Sequence, residues 1–481
     1  MSKATDISKW VKIAVMLAVP VVTVLVDPGA FGMDGMTGAQ QNMLAIFFFA
    51  ALSWVFDLYP AWVTSVMVIA LILLTGSDSA FVFYRDWTGP GQAVGEVVKS
   101  SRVLMCFGDP AIMLYIGGLV MALTASKIGL DAKLARAILY PFGTKPEKLL
   151  LGVMLGTGIL SMFMSDTATT ALMIGMMTPV FLKLGSDNNG KAAFAIAITF
   201  SALIGGMATP IGTPPSMLAY NAINDPQGLN MHVSFVTWMA VMVPICFIMI
   251  FLAWRILLRL FPMSTGDIEV TFVNKASSRR ELIIVIATYA VTILLWLTEG
   301  LTGIKNSVAA MVPVVVLSVF GIFTADDLNK LPWAVLWMFA GGLALGYGMD
   351  SVGLSTYLID MVPFASMSPL LILIVSALIC WGLSNFVSNT GTAALMIPIL
   401  TAMANGMGSY LAPIGGGVTL IMGIAISASM AMTLPVSTPG NAIAFATGYV
   451  TQKQMARAGL CVGLLGLVLG YAVICLASPL L

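Results

Sequence analysis

The segment SMFMSDTATTALM, residues 161–173, places polar side chains inside an otherwise apolar stretch. Ser165, Asp166 and Thr167 stand at its centre, and Ser161 lies one helical turn earlier. Hydroxyl, carboxylate and carbonyl oxygens are the ligands that a hard cation such as Na⁺ requires. The free N–H groups at a helix start, together with hydroxyl donors, suit an anion. The segment therefore predicts a site where a cation and an anion bind side by side.

The same pattern occurs again later in the chain. LSNFVSNTGTAALMI at 383–397 is identical to LSMFMSDTATTALMI at 160–174 at ten of fifteen positions, with an offset of 223. The spacing of Ser161 and Ser165 recurs in Ser384 and Ser388. Four residues apart, each pair lies on one helix face. The second segment therefore predicts a second site of the same kind.

Two proline motifs follow these segments in the chain. IGTPPS begins at residue 211 and VSTPGN at residue 436, at an offset of 225. Proline removes a backbone hydrogen bond and breaks a helix. The freed carbonyls of Gly212 and Ser437 become available to a cation, and the hydroxyls of Thr213 and Thr438 can point at a substrate. A third match, Gly117-Gly118-Leu119 with Gly341-Gly342-Leu343, has an offset of 224, so the chain contains two copies of one structural unit.

The composition places these motifs in a membrane. Of the 481 residues, 59% are hydrophobic and 9% are charged, against about 25% charged residues in soluble domains. Continuous apolar runs of about 20 residues predict spanning helices, not the alternating segments of a β-barrel. The fold class is therefore an all-α integral membrane protein. A carboxylate costs about 2.5–3.5 kcal/mol at the centre of a spanning helix, so Asp166 must face binding partners and not lipid.

The apolar runs predict eleven transmembrane helices and two re-entrant hairpins. The hairpins are predicted at 149–184 and 369–404, because each of these runs is broken at its centre by one of the polar segments. Half-helices that return to the same side would place both tips near the middle of the membrane. The eleven spans are predicted near 10–26, 41–56, 61–75, 111–126, 192–222, 236–254, 282–298, 307–323, 333–349, 417–447 and 459–480.

The charge distribution orients this arrangement. With a cytoplasmic N-terminus and an outside C-terminus, all but four of the 22 Lys and Arg residues face the cytoplasm, as the positive-inside rule requires. The exceptions are Arg85, Lys99, Arg102 and Lys305. One hairpin then opens from the cytoplasm and the other from outside, so the two units form an inverted repeat, the arrangement of many secondary transporters. The predicted location is the inner (plasma) membrane.

Other residues exclude several function classes. The five cysteines are scattered without a CxxC pair, and the single histidine, His232, excludes a multi-histidine metal centre. No motif pairs a nucleophile with a base, so we predict that the chain is not an enzyme and needs no cofactor besides a coupling Na⁺. A net charge of +1 without a basic domain speaks against nucleic-acid binding.

These motifs resemble the divalent anion/sodium symporter family, the carriers of dicarboxylates, citrate and sulfate. Its signature is a Ser-Asn-Thr tripeptide at each of two hairpin tips, each followed by a Thr-Pro motif in an unwound helix. Here the second tip matches as Ser388-Asn389-Thr390, and both Thr-Pro motifs match, Thr213-Pro214 and Thr438-Pro439. The resemblance covers essentially the whole chain in order and spacing.

The resemblance implies two cation sites and one substrate site. It assigns the substrate carboxylates to the two tips and the two Thr-Pro turns, at Ser165, Asp166, Thr167, Ser388, Asn389, Thr390, Thr213, Pro214, Thr438 and Pro439. It assigns the first Na⁺ to Ser161, Ser165, Asp166 and Gly212, and the second to Ser384, Val387, Asn389 and Ser437.

The resemblance also implies a homodimer in membrane lipid, with a fixed scaffold domain and a transport domain that slides as an elevator. Scaffold parts are expected at 1–148 and 281–368, and transport parts at 149–260 and 369–481. Surface helices are expected at about 77–109, and a cytoplasmic linker at 261–280.

The first tip departs from the family pattern, because Asp166 replaces the family's asparagine. An ionised carboxylate cannot donate a hydrogen bond to a substrate carboxylate and would repel it. Asp166 can strengthen cation binding, carry a proton, or mark a different coupling ion or substrate. The first hypothesis is therefore a Na⁺-coupled carrier of di- or tricarboxylates. The alternatives are a Na⁺-independent dicarboxylate exchanger, a sulfate carrier, and a cation/proton antiporter that uses Asp166.

Overall fold

The structure is a computed structural model that describes residues 2–56, 58–82, 92–226, 228–264, 266–268, 278–361 and 367–478. Helices make up most of this part, and the one strand-type pairing within it is an isolated parallel bridge between Ser77 and Val98. The helices are α1 Ser2–Leu25, α2 Gly38–Phe56, α3 Ala61–Leu71, α4 Ser100–Met105, α5 Pro110–Ile128, α6 Leu130–Leu139, α7 Pro146–Ser161, α8 Asp166–Met176, α9 Thr178–Lys183, α10 Asn188–Gly206, α11 Pro214–Asn224, α12 Phe235–Leu260, α13 Arg279–Leu297, α14 Glu299–Thr302, α15 Asn306–Ala309, α16 Met311–Val319, α17 Ala325–Asn329, α18 Trp333–Ser351, α19 Leu354–Met361, α20 Pro369–Phe386, α21 Asn389–Met407, α22 Gly416–Ser429, α23 Pro439–Ala446 and α24 Gln452–Ala477.

Several of these helices can cross a bilayer by length and composition. Within the described residues, eight helical stretches reach this standard, and three shorter apolar ones occur at Ala61–Gly76, Asn306–Val319 and Gly416–Ser429. The all-helical membrane fold is thereby confirmed, whereas the count of eleven spans stays a prediction. The eight stretches are Gly38–Phe56, Ser100–Ile128, Asn188–Gly206, Phe235–Leu260, Arg279–Leu297, Pro369–Phe386, Asn389–Ile414 and Gln452–Ala477.

Each predicted hairpin consists of two helices that meet at a short break. Residues 162–165 separate α7 from α8, and Val387 and Ser388 separate α20 from α21. The arms α20 and α21 contain 18 and 19 residues, which is longer than the half-helices that the sequence predicts. A break of two residues needs no connecting loop, which leaves more residues for the arms. Re-entrance itself stays a prediction.

The helix boundaries repeat with the sequence. Helix α18 begins and ends 223 residues after α5, and α21 begins 223 residues after α8. Helix α23 begins 225 residues after α11. Both long spans predicted at 192–222 and 417–447 are interrupted, each just before its Thr-Pro motif. The two sequence copies are therefore two copies of one helical arrangement.

The repeated glycines bring the two copies together. A Cβ atom on Gly117 of α5 would lie 2.4 Å from the carbonyl oxygen of Ala310, and one on Gly341 of α18 would lie 2.3 Å from Cβ of Ser65. Helix α5 packs against α15 and α16 of the second copy, while α18 packs against α3 of the first. Equivalent glycines thus allow equivalent close contacts between the copies, which explains why the Gly-Gly-Leu motif is repeated.

These contacts predict a loss of stability on substitution. We expect Gly117→Ala and Gly341→Ala each to lower the thermal stability of the purified protein, because overpacking a tight contact costs roughly 1–3 kcal/mol. Gly382→Ala in α20 is the matched control, since a Cβ there meets no atom within 4 Å. Equal unfolding temperatures for all three variants and the parent protein would contradict this account of the interface.

An ion pair between an exposed lysine and a buried aspartate joins the copies at another point. Lys127 Nζ, near the end of α5, lies 2.5 Å from Asp327 Oδ2 and donates to the carbonyl oxygen of Ile322 at 2.8 Å. Burial alone would raise the pKa of the Asp327 carboxyl, but hydrogen bonds from Lys127 and Thr324 hold that pKa well below its usual range. The charge count predicts that Lys127 and Lys330, which also pairs with Asp327, face the cytoplasm. The ion pair thus joins segments with the same predicted sidedness.

The predicted surface segment at about 77–109 is mostly non-helical where it is described. Residues 92–97 are extended or irregular, Val98 forms the bridge to Ser77, and α4 is a helix of six residues. The remaining part, 83–91, lies outside the described residues, as do residues 265 and 269–277 of the predicted linker.

Candidate functional site

The first tip is built around a helix start. Ser165 is the N-cap of α8, and its Oγ accepts a hydrogen bond from Ala168 N at 3.3 Å. Asp166 Oδ1 accepts from Thr167 N at 2.7 Å and lies 3.4 Å from Thr167 Oγ1. Because these bonds fix the carboxylate at the helix N-terminus, where the helix dipole favours negative charge, Asp166 can remain only 9% exposed.

The second tip has the same cap and a different polar centre. Ser388 caps α21 by accepting from Gly391 N at 3.1 Å. Ser384 Oγ donates to Asn389 Oδ1 at 2.9 Å, and Asn389 N donates to the carbonyl oxygen of Ser437 at 3.2 Å. The structure thus brings together Ser384, Asn389 and Ser437, three residues that the resemblance assigns to the second cation site. Val387, the fourth residue, occupies the break next to them.

The Thr-Pro motifs begin two further helices. Thr213 and Thr438 are the N-caps of α11 and α23, with φ angles of −142° and −143°, and each is followed by proline at the first helical position. Proline suits this position, since its missing N–H would have no partner within the helix. Thr438 Oγ1 accepts from Asn441 N at 3.1 Å. Four helix N-termini therefore carry the predicted substrate residues, which is the electrostatic setting that an anion requires.

Ser161 has an unsatisfied hydroxyl beside the first Thr-Pro turn. Its side chain is fully buried, and its Oγ has no hydrogen-bond partner. Gly212 lies against it, because a Cβ on Gly212 would be 2.7 Å from the carbonyl oxygen of Ser161 and 2.5 Å from that of Gly206. A buried hydroxyl without a partner is costly, so the Ser161 hydroxyl is available to bind a ligand. Ser161 and Gly212 are two of the residues assigned to the first cation site.

Hydrogen bonds between equivalent positions hold each tip to the turn of its own copy. Thr209 Oγ1 donates to the carbonyl oxygen of Met162 near the first tip. Thr433 N donates to Asn385 Oδ1 at 3.0 Å near the second. Met162 and Asn385 are separated by 223 residues, and Thr209 and Thr433 by 224. None of these four residues was predicted to belong to the site, although the threonines lie close to the matched Thr-Pro segments.

The helix that follows each Thr-Pro motif packs against the helix that follows the tip of the other copy. Helix α23 packs against α8 and α10, while α11 packs against α21. Thr199 Oγ1 of α10 donates to Asn441 Oδ1 of α23 at 2.8 Å, and both residues are fully buried. Asn441 belongs to the VSTPGN motif but received no role from the sequence. In the described chain, no hydrogen bond joins the two tips directly; they are connected through the second Thr-Pro turn.

Comparison with known proteins decides the family. The sequence profile of the sodium:sulfate symporter transmembrane region matches residues 7–480. The chain belongs to this family. Membership in a family of transporters confirms the resemblance seen in the motifs and agrees with the prediction that the chain is not an enzyme.

The chain is similar to named bacterial carriers over most of its length. It is 27% identical to the sodium-dependent dicarboxylate transporter SdcS of Staphylococcus saprophyticus, over 93% of this chain and 88% of that one. It is 28% identical to SdcS of Staphylococcus aureus strain USA300, over 91% and 86% of the two chains.

Two solved structures share the fold. The YdaH transporter of Alcanivorax borkumensis has a TM-score of 0.54 at 15% identity, over 87% of this chain and 98% of that one. MtrF of Neisseria gonorrhoeae has a TM-score of 0.52 at 12% identity, over 87% and 95%. At these identities the likeness concerns the helical architecture alone.

Proposed function

We propose that the chain is a secondary active transporter that carries dicarboxylates together with Na⁺. The relatives named sodium-dependent dicarboxylate transporters, which match 93% and 91% of this chain, support this function. The observation that carries the proposal is the buried Ser161 residue, whose hydroxyl has no partner and whose carbonyl oxygen lies against Gly212, because these oxygens fit a cation site better than simple packing. Helix N-termini at both tips and both Thr-Pro turns then supply the positive ends for an anion.

The two cation sites of this proposal differ in their oxygen donors. The first comprises Ser161, Ser165, Asp166 and the Gly212 turn and includes a carboxylate. The second comprises Ser384, Asn389 and the carbonyls of Val387 and Ser437, which are neutral. Because Na⁺ bound at Asp166 would neutralise the carboxylate, substrate binding at Thr167 would depend on that ion. This coupling is the reason to favour symport over Na⁺-independent exchange.

The substrate lies between the tips in this proposal. A dicarboxylate has two charged ends, and helix N-termini of both copies carry the residues assigned to it, at Ser165–Thr167, Thr213-Pro214, Ser388–Thr390 and Thr438-Pro439. The family is described as sodium:sulfate symporters, so sulfate is the second candidate substrate. A smaller dianion would engage fewer of these helix starts.

Calorimetry on the purified protein in detergent tests which anion binds and whether its binding depends on Na⁺. We expect succinate to bind in NaCl and to bind at least tenfold more weakly in KCl, with sulfate weaker than succinate in both salts. Equal succinate affinity in the two salts would contradict the coupling. Tighter binding of sulfate than of succinate would make the chain a sulfate carrier.

We also propose an elevator mechanism in a homodimer, with the transport parts at 149–260 and 369–481 moving against the scaffold parts. Hydrogen bonds support the underlying sidedness. Ser264 N donates to Asp187 Oδ2 at 2.9 Å, between segments predicted to be cytoplasmic. Tyr357 Oη donates to the carbonyl oxygen of Asp34 at 3.0 Å, between segments predicted to be outside.

The topology predicts which loops a membrane-impermeant reagent can reach. In right-side-out cells, a maleimide should label Lys305→Cys and should not label Ser186→Cys until the cells are opened. Both positions are exposed, so a difference in labelling reports sidedness. The variants are made after the exposed native Cys461 is replaced by serine. Labelling of Ser186→Cys in sealed cells would overturn the topology.

A further inference from the structure

A cavity separate from the tips lies between four helices. Its volume is about 80 Å³, and it is bounded by α11 and α21 on one side and by α18 and α19 on the other. In the described chain, its lining includes none of the residues assigned to the tips or the Thr-Pro turns. It lies instead farther along α11 and α21 from their N-termini, so it is not the proposed substrate site.

Two buried polar atoms in this cavity lack partners. Asn221 on α11 is 8% exposed and Thr401 on α21 is 7% exposed. Asn221 Nδ2 and Thr401 Oγ1 have no hydrogen-bond partner, and both residues line the cavity. An amide N–H₂ group only donates, whereas a hydroxyl both donates and accepts. A ligand that satisfies both residues must therefore carry a hydrogen-bond acceptor.

The charges around the cavity favour a cation. Asp225 and Asp350 are the charged residues of the lining, and they are close enough to interact electrostatically. A cation also lies near this wall, because the Arg102 guanidinium is 5.7 Å from the ring of Tyr347. Asp109 also acts electrostatically on Asp225 from the same end of the molecule. Negative charge therefore predominates, which disfavours a dicarboxylate and favours an ammonium group.

The remaining walls are apolar and leave open space. Leu218 and Pro398 face two glycines of α18. A Cβ on Gly342 would lie 3.9 Å from Leu218 Cδ2, and one on Gly346 would lie 3.7 Å from Pro398 Cβ, so each glycine leaves room for an added carbon atom. A short carbon chain fits between them.

We propose that this cavity binds a small ammonium compound that carries a hydroxyl group. Its ammonium group lies at the carboxylates of Asp225 and Asp350, and its hydroxyl oxygen accepts from Asn221 Nδ2. The ligand then bridges helices of the scaffold parts and helices of the transport parts. Inhibition of transport by this bridge rests on the proposed function, whereas binding itself does not.

Calorimetry with three small probes tests binding to the purified full-length protein. The probes are 2-aminoethanol, ethylammonium without a hydroxyl, and glycolate with a hydroxyl and a negative charge. We expect 2-aminoethanol to bind about tenfold more tightly than ethylammonium, because one hydrogen bond to a buried donor is lost. Glycolate should not bind in this cavity. Equal affinities of the two amines, or no binding of either, would overturn the proposal.

Substitutions in the cavity lining test whether 2-aminoethanol binds there. Asp350→Asn should weaken the binding of 2-aminoethanol about fivefold, since one solvent-exposed contact with a charge is removed. Asn221→Leu should remove the difference between 2-aminoethanol and ethylammonium, with folding checked by thermal unfolding. Asp326→Asn is the control, because Asp326 is exposed and lies outside the cavity. An equal loss of affinity in Asp326→Asn and Asp350→Asn would contradict the assigned site.

Transport assays in lipid vesicles test whether binding in the cavity inhibits transport and whether the ligand is a free molecule or a lipid. 2-Aminoethanol should inhibit succinate uptake in vesicles of phosphatidylcholine, and Asp350→Asn should reduce that inhibition. The headgroup of phosphatidylethanolamine carries the same ammonium group, with a phosphate ester oxygen in place of the hydroxyl, so vesicles that contain this lipid distinguish the two sources. If 2-aminoethanol no longer inhibits succinate uptake in those vesicles, the lipid headgroup occupies the cavity, and the proposal of a free ligand is overturned. Binding without inhibition would refute the bridge and leave the substrate site untouched.

Discussion

Asn389→Ala is expected to weaken succinate binding at least tenfold and to lower the apparent affinity for Na⁺ as well. Asn389 is central to the second tip, because its side-chain Oδ1 accepts from Ser384 Oγ, while its backbone N–H, which alanine keeps, donates to the Ser437 carbonyl. Alanine removes the amide from both proposed sites at once. A hydrogen bond to a charged group is worth roughly 1.5–3 kcal/mol, which corresponds to about tenfold or more in affinity.

Thr390→Ala serves as the partner variant. It should weaken succinate binding by a similar factor, while the Na⁺ dependence stays near that of the parent protein, because Thr390 is assigned to the substrate site alone. Asn329→Ala, at an exposed position of α17, is the control for amide removal. Thermal unfolding confirms that each variant is folded. Unchanged succinate affinity in both tip variants would place the substrate site elsewhere.

Asp166→Asn is expected to lower the apparent affinity for Na⁺ about tenfold while succinate transport survives. Asparagine restores the tripeptide of the family and keeps an oxygen that can accept from Thr167 N, so the helix start is preserved. The negative charge is lost, and with it the strongest cation donor of the first site. Initial uptake rates across Na⁺ concentration and pH, for the parent and the variant, measure the effect.

The same experiment tests whether Asp166 carries a proton. In that case the variant should lose the pH dependence of transport and keep its response to Na⁺. Asp326→Asn, an exposed carboxylate outside the site, is the control for a change in net charge. Superimposable curves for the parent and Asp166→Asn would show that Asp166 is a structural polar residue, and the coupling role would be withdrawn.

Much of the fold was predictable because the motifs act locally. Ser165 and Ser388 cap the helices that follow them, and proline after Thr213 and Thr438 fixes a helix start. These preferences depend on neighbouring residues, so the sequence alone locates the breaks. The repeat offset then relates the two copies without any knowledge of their packing.

The remaining contacts depend on tertiary packing. Thr199 and Asn441 are separated by 242 residues, and nothing local to either one identifies its partner. The arms of the second hairpin are longer than expected because the break contracts to two residues, which hydropathy does not resolve. The segment before α4 has an amphipathic sequence pattern, yet Val98 pairs with Ser77 instead of continuing a helix.

The central claim is that Na⁺ drives the transport of a dicarboxylate through this site. Uptake of radiolabelled succinate into proteoliposomes, with an inward Na⁺ gradient and no internal dicarboxylate, tests it most directly. We predict accumulation above the external concentration, abolished when K⁺ replaces Na⁺ and in Asn389→Ala. Uptake that requires internal dicarboxylate and proceeds equally in Na⁺ and K⁺ would contradict the claim and identify an exchanger.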